Sequence, residues 1–337
     1  MTHGSILGCT LRFALPICAG SVLQQMYSTV DTLVIGNYCD SSALAAVSTS
    51  SQPLEILLCV FLGIGSGISI LVSQACGASD QDALKKLLKA SVFFLYAAAI
   101  PLTVLGLVLG PVLLNLMQVP PDAMPYAVQY LRIVAIGILG NMGYNFNAGI
   151  LRGLGNSNSS LVLLLVSCVV NIALDPIFIF GLFGVPRMEA AGAAVATVAG
   201  QWIGAAAGLT MNLLCNKDIN LTLKGFRPAG STIKRIYAVG IPSIAMNAIG
   251  SVMTFAMNNI LIAFSSTAVA VFGVYFKLQS FVFMPIFGIN NGMVPIIGYN
   301  YGARRPARVR KAMLVMSAMI LATQPSCGAS SFWSRVR

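Results

Sequence analysis

The chain has 337 residues, of which 57% are hydrophobic and only 9% charged, and its formal net charge is +11. Soluble domains carry roughly 25% charged residues, and a soluble protein of this size could not hide so much apolar surface from water. The composition therefore excludes an ordinary soluble enzyme and a disordered chain, and it favours a polytopic membrane protein.

Eight apolar stretches follow one another along the chain, separated by short segments of turn-forming residues. Each stretch is long enough to cross the hydrocarbon core as a helix, which takes about 20 residues. Several are longer than one crossing needs, so we expect them to tilt or to project beyond the bilayer. The predicted spans are approximately 13–37, 44–76, 90–117, 126–151, 159–183, 189–214, 236–264 and 270–299.

Positive charge is concentrated on one side of these spans. The segment before the first span and the segments after the even-numbered spans together hold 15 of the 20 basic residues. The positive-inside rule therefore predicts that the N-terminus and the even-numbered loops lie in the cytoplasm. We expect the chain in the plasma (inner) membrane. Topology accounts for the net charge, and the sequence predicts no nucleic-acid partner.

The second and eighth spans resemble each other when the chain is shifted by 225 residues. In that frame Gly63 meets Gly288, Gly67 meets Gly292 and Gly77 meets Gly302. An offset one residue longer places Leu15-Pro16 over Ile241-Pro242. The copies are separated by six spans, so both enter the membrane in the same direction, as in transporters built from parallel repeats.

Three carboxylates, Asp31, Glu55 and Asp175, lie inside apolar stretches. Burying a charge in the bilayer costs at least about 2.5–3.5 kcal/mol, so each is a candidate functional residue. Asn171 precedes Asp175 by four residues and therefore shares its helical face. An amide beside a carboxylate is suited to coordinating Na⁺ or to orienting a protonated acid.

Several longer motifs resemble the multidrug and toxic compound extrusion (MATE) transporters. They are ALPICAGSVLQQMYSTVDTLVIGNY, GIGSGISILVSQACGASD, LRGLGNSN, NIALDPIFIFGLFG and PIFGINNGMVPIIGYNYGAR. The resemblance runs from about residue 12 to residue 315. It implies an all-α, two-lobe helix bundle that exports drugs or organic cations by alternating access, driven by H⁺ or Na⁺ and needing no other cofactor.

The resemblance also implies particular site residues. The family's cation site in the N-terminal lobe matches Asp31, Tyr130, Asn171, Asp175 and Thr197. If Na⁺ is the coupling ion, its ligands are expected from Asp31, Asn171, Asp175 and Thr197. The remaining candidates are Pro16 as a hinge in the first helix, Glu55 near the exit funnel, and Lys277, which either snorkels outward or shapes the lumen.

The second half of the sequence contains fewer spans than the first. Residues 312–323 are apolar for only twelve positions, which is too short to span, and a polar, basic tail follows. We therefore expect a complete six-helix N-terminal lobe over 1–215, a cytoplasmic inter-lobe loop over 216–235, and a partial C-terminal lobe over 236–337 that holds two full helices and a truncated third. On this interpretation the C-terminal lobe is truncated.

Three other functions are weighed against the antiporter. A lipid-linked oligosaccharide flippase of the same superfamily would have a strongly cationic lumen, whereas the acids in the spans favour the antiporter. A truncated remnant could fold without transporting. An integral-membrane enzyme would show a nucleophile motif or a cluster of His, Asp and Glu, and the sequence shows neither.

Overall fold

The computed structural model describes residues 5–38, 63, 65–116, 124–215, 230–262, 264 and 266–323. Every regular element among these residues is helical, which confirms the all-α fold class. A single 3-10 turn, Leu182–Gly184, interrupts the series of α-helices. These are α1 Ile6–Tyr38, α2 over residues 65–77, α3 Gln81–Leu116, α4 Met124–Ile136, α5 Ile138–Gly153, α6 Ser157–Phe180, α7 Glu189–Cys215, α8 Gly230–Ile262, α9 Ser266–Gly302 and α10 Pro306–Thr323.

The helices turn large apolar side chains outward. Leu15, Ile100, Val108 and Val169 are each 63% exposed, a pattern that suits hydrocarbon as the surrounding solvent. Among the described residues, five stretches are long and apolar enough to cross a membrane, and they confirm a polytopic membrane protein. They are Ile6–Met26, Gln81–Val112, Ser157–Phe180, Ala191–Leu214 and Gly230–Thr254.

The predicted fourth span, 126–151, differs from the structure because it is divided at Gly137 into α4 and α5. Gly137 has φ −72° and ψ −8°, so its ψ angle departs from the helical value of about −42°. Backbone hydrogen bonds from Gly137 to Ile133 and from Asn141 to Gly137, both 3.0 Å long, still run across the break. The helix is therefore interrupted at Gly137, while its backbone hydrogen bonds continue across the interruption.

Residues 312–323 belong to a longer helix than the apolar run suggested. Helix α10 begins at Pro306, a residue type that is favoured at the first helical position, and extends for 18 residues. Its buried Ala312 packs with Phe13 of α1 and Met293 of α9 in one apolar cluster. The tail 324–337 lies outside the described residues, so the proposed truncation is left as a sequence-based expectation.

Helices α6 and α7 pack closely through small residues. Gly200, Gly204 and Gly208 recur every four residues along one face of α7. A methyl group at Gly200 would lie 2.8 Å from the backbone oxygen of Ser167 on α6. The absence of side chains on this face therefore allows the two backbones to approach and brings their polar residues into contact.

Two buried asparagines join α5 to α7. The Nδ2 of Asn212 donates to Oδ1 of Asn147 at 2.9 Å, and Asn147 in turn donates to the backbone oxygen of Gly143 at 2.8 Å. Asn147 is 5% exposed and Asn212 is fully buried. Because this pair is removed from water and from lipid, it serves as a polar clasp between the helices.

We expect Asn212→Leu to destabilise the bundle by about 1 kcal/mol, the typical scale of a hydrogen bond between membrane helices. The measurement is the midpoint of thermal or denaturant unfolding in detergent. Thr210→Val is the matched control, because Thr210 lies on the same helix but is exposed and bonds only its own turn, to the oxygen of Ala206. Equal midpoints for the two variants would contradict the clasp.

The glycines of the internal repeat mark contacts between the two halves of the chain. Each of these contacts has a second, equivalent contact, in which both residues are replaced by their repeat counterparts at an offset of 225 or 226 residues. We call the group of these contacts that joins α2 to α9 the α2–α9 seam. Gly63 lies against Ile244 as Gly288 lies against Cys18, Gly67 against Gly240 as Gly292 against Ala14, and, within the α2–α9 seam, Gly77 against Tyr299 as Gly302 against Gln74.

One further contact of the α2–α9 seam relates two residues that are themselves repeat counterparts. Gly298 lies against Ser73, and the two positions differ by the repeat offset of 225. A pair that maps onto itself under the repeat must lie on the symmetry axis. The interhelical contacts therefore define a pseudo-twofold axis that passes through the seam at Ser73 and Gly298.

Candidate functional site

The polar centre of the first half lies between α6 and α7. The Nδ2 of Asn171 donates to Oγ1 of Thr197 at 3.2 Å. Asn171 is 3% exposed, and Asp175, one turn further along α6, is 7% exposed. The structure thus brings together three of the five residues expected at the cation site.

Asn171 has an acceptor available at this centre. Its Oδ1 atom is buried and has no hydrogen-bond partner among the described residues. A buried carbonyl oxygen without a donor is costly unless a proton donor or a cation meets it. Together with the Thr197 hydroxyl and the Asp175 carboxylate, it supplies the oxygen ligands that a hard cation prefers.

For the other two expected cation-site residues, Tyr130 and Asp31, convergence on this centre stays a sequence-based expectation. Tyr130 is half-buried on α4 and packs with the buried Leu114, Ala127 and Leu131, in a cluster between α3 and α4. Asp31 falls on helix α1, but its side chain lies outside the described part of the chain. The convergence of Asp31 with Asp175 is therefore a sequence-based expectation.

The three remaining candidates are distributed along the chain. Pro16 is half-buried inside α1, which continues through it as one helix, and it lines a cavity described below. Lys277 falls on α9, with its side chain outside the described part. Glu55 is wholly outside the described residues.

A cavity of about 360 Å³ adjoins the Asn171–Thr197 pair. Helices α1, α2, α5, α6, α7 and α9 all contribute to its wall. Pro16 and Gln24 of α1 lie on one side, and Asn291 of α9 joins it from the second half of the chain. The cavity therefore connects the polar centre with the space between the two halves.

Much of this wall comes from residues that the sequence analysis did not single out. Helix α5 contributes Asn141, Tyr144, Asn145 and Arg152 to it. Amides within an apolar segment are rare enough to mark a functional face, and Asn141 and Asn145 are one helical turn apart. Attention to amides as well as acids would have found α5.

An all-α bundle of lipid-facing helices, with buried polar residues around a cavity, is the architecture of a polytopic membrane protein with an interior functional site, as membrane transporters have. The MatE family model matches residues 16–177 and 242–331. The chain therefore belongs to the MatE family, as its motifs indicated.

Particular relatives agree with this assignment. A Bacillus subtilis protein named as multidrug resistance protein YpnP is 30% identical over 91% of this chain and 68% of its own length. A Thermotoga maritima protein named as multidrug resistance protein NorM is 30% identical over 86% of this chain and 62% of its own length. The chain thus spans about two thirds of the length of these relatives.

A solved structure shows the same fold. It is described as the outward-facing conformation of a multidrug resistance MATE family transporter of the MOP superfamily. It aligns with a TM-score of 0.85 and 24% identity, over 96% of this chain and 71% of that chain.

Proposed function

We propose that this protein exports small organic molecules, cations among them, by antiport against H⁺ or Na⁺. The observation that carries the proposal is the buried pair Asn171–Thr197 with Asp175 one turn away, inside helices that face lipid. An ionisable group in that setting is expensive and therefore marks an ion path. The multidrug resistance names of the relatives favour efflux over the flippase alternative.

The proposed mechanism is alternating access between two halves. We assign helices α1–α7, within 1–215, to the first lobe and α8–α10 to the second. Because α8 begins at Gly230, the end of the predicted loop 216–235 is already helical, and the second lobe begins six residues before the predicted boundary at 236. With the N-terminus placed in the cytoplasm by the positive-inside rule, the α2–α9 seam lies at the cytoplasmic end. Contact across it closes that end, so the described arrangement corresponds to a state that is closed to the cytoplasm.

Ion binding and substrate release are coupled through charge. When a proton or Na⁺ occupies the Asp175 centre, it neutralises the carboxylate and weakens the attraction for a cationic substrate. A ligand that prefers one conformation shifts the equilibrium by its difference in affinity for the two. Inward flow of the ion can thus drive outward movement of the substrate.

The proposal is tested by transport in proteoliposomes that contain the whole chain. We expect an imposed H⁺ or Na⁺ gradient to drive ethidium across the membrane and ionophore collapse of that gradient to reduce transport to the rate of protein-free vesicles. Imposing each gradient separately identifies the ion. Ethidium movement that is indifferent to both gradients would reject the antiport.

A further inference from the structure

Arg152 projects from the last turn of α5 into the cavity that adjoins Asn171 and Thr197. It is the one charged side chain among the described residues that line this cavity. Its position differs from that of a surface arginine, because it is half-buried and faces a polar interior. The described wall of the cavity is therefore electropositive.

Asp175 follows Ser157 by 18 residues on α6, a rise of about 27 Å, so this carboxylate does not compensate the Arg152 charge. Asp80 and Asp82 lie in a separate cleft beside Arg304 and Arg305, and Glu189 pairs with Arg187 at 3.3 Å. Within the part of the chain that the structure describes, the Arg152 guanidinium has no ion pair, and the group that interacts with it electrostatically is the uncharged hydroxyl of Tyr144 on the same wall. A partly desolvated cation without an anionic partner is costly, and an anion entering the cavity would remove that cost.

Hydroxyl donors accompany Arg152 along the wall. Ser157 and Ser160 lie in the first turn of α6, and both line the cavity. The N-terminal end of this 24-residue helix carries partial positive charge, which adds to that of the guanidinium. Arginine presents several N–H donors in a fork that matches the two oxygens of a carboxylate or phosphate.

We propose that this cavity binds an anionic group, a carboxylate or a phosphate, at Arg152, with Ser157 and Ser160 as auxiliary donors. The inference rests on the proposed function in one respect, because it makes the bearer of that group a transported molecule. Asn171 follows Ser157 by 14 residues on α6, a rise of about 21 Å, so the cavity has an anion-binding end and an acceptor-lined end. Zwitterions and organic acids therefore fit it better than simple cations.

The test is equilibrium binding to the purified whole chain in detergent, with no ion gradient. The probes are ciprofloxacin, which carries one carboxylate, its methyl ester, which does not, and ethidium, an organic cation without an acidic group. We expect Arg152→Gln to weaken ciprofloxacin binding by at least about tenfold, because a charge-assisted hydrogen bond is lost. Binding of the ester and of ethidium, which are cations, should not weaken, because the change removes a repulsive charge, and Arg152→Lys should be intermediate for the acid.

Arg12→Gln is the matched control, because Arg12 is exposed on α1 and does not line the cavity. Unchanged ciprofloxacin binding by Arg152→Gln would overturn the anion site. An equal loss of all three probes would also overturn it, since that result indicates a structural role for Arg152. These binding measurements use no ion gradient. A failure of gradient-driven efflux would therefore contradict the proposed antiport without affecting the anion site, and a failure of the binding test would contradict the anion site without affecting the antiport.

The source of the anion is resolved by competition. Inorganic phosphate and phosphatidylglycerol are titrated against bound ciprofloxacin in lipid nanodiscs. Competition by the lipid assigns the site to a headgroup, whereas binding that the lipid does not affect assigns it to the transported molecule. Either result supports an anion site, provided that Arg152→Gln abolishes it.

Discussion

Oxidation of the Ser73→Cys/Gly298→Cys double variant is expected to reduce efflux by about tenfold or more, because it holds one of two alternating states. A Cβ atom at position 298 would lie 3.0 Å from the Cβ of Ser73. Disulfides join Cβ atoms about 3.5–4.5 Å apart, so a small separation of α2 from α9 suffices. The link would close the α2–α9 seam where the pseudo-twofold axis crosses it.

The position on the axis makes this test sharp. When the two halves rock, the α2–α9 seam must open to give access to the cavity from that end. Its contacts are related by the pseudo-twofold axis, so they separate together. Reduction with dithiothreitol should restore efflux, and each single cysteine variant should be insensitive to the oxidant. The native Cys76 one turn away makes the single Gly298→Cys variant the important control. Full efflux by the oxidised, cross-linked protein would show that the α2–α9 seam stays closed during transport.

The sequence predicts much of the fold because the bilayer imposes simple rules. Long apolar runs must become helices, since unpaired backbone groups are not tolerated in hydrocarbon. The spacing of Asn171 and Asp175 predicts a shared face, which the structure places against Thr197 of α7. The repeat offsets, found from glycines and from the pair Pro16 and Pro242, also relate the contacts that the structure shows across the pseudo-twofold axis.

Other features depend on three-dimensional contacts that residue patterns do not encode. The interruption between α4 and α5 at Gly137 depends on the backbone angles of one residue within an unbroken apolar run. Helix α10 begins in a basic segment because its apolar face packs on α1 and α9, which outweighs its polar start. From the sequence, Arg152 is predicted to be a charged loop residue at the end of a span. The packing of α5 against α6 places it on the cavity wall.

Asp175→Asn is expected to abolish gradient-driven efflux while leaving substrate exchange intact. The amide has nearly the shape of the carboxylate and keeps hydrogen-bonding capacity, but it neither ionises nor binds Na⁺ as an anion. Because Asp175 is 7% exposed and Asn171 lies one turn away, the change acts on the polar centre rather than on the surface. We expect the transport rate in the presence of the gradient to fall to the rate without it, because the ion path has lost its ionisable group.

The difference between two assays separates coupling from folding. Counterflow, which exchanges substrate without an ion gradient, needs a folded and mobile protein but no coupling ion. Glu189→Gln is the matched control: it makes the same chemical change at an acid that pairs with the exposed Arg187 outside the cavity. We expect this control to retain both activities. Gradient-driven efflux at the wild-type rate in Asp175→Asn would remove Asp175 from the coupling mechanism. Loss of both gradient-driven efflux and counterflow would assign Asp175 a structural role.

If Asp31 shares the site, Asp31→Asn must show the same separation of the two assays, because a proton or Na⁺ held by two carboxylates depends on each of them.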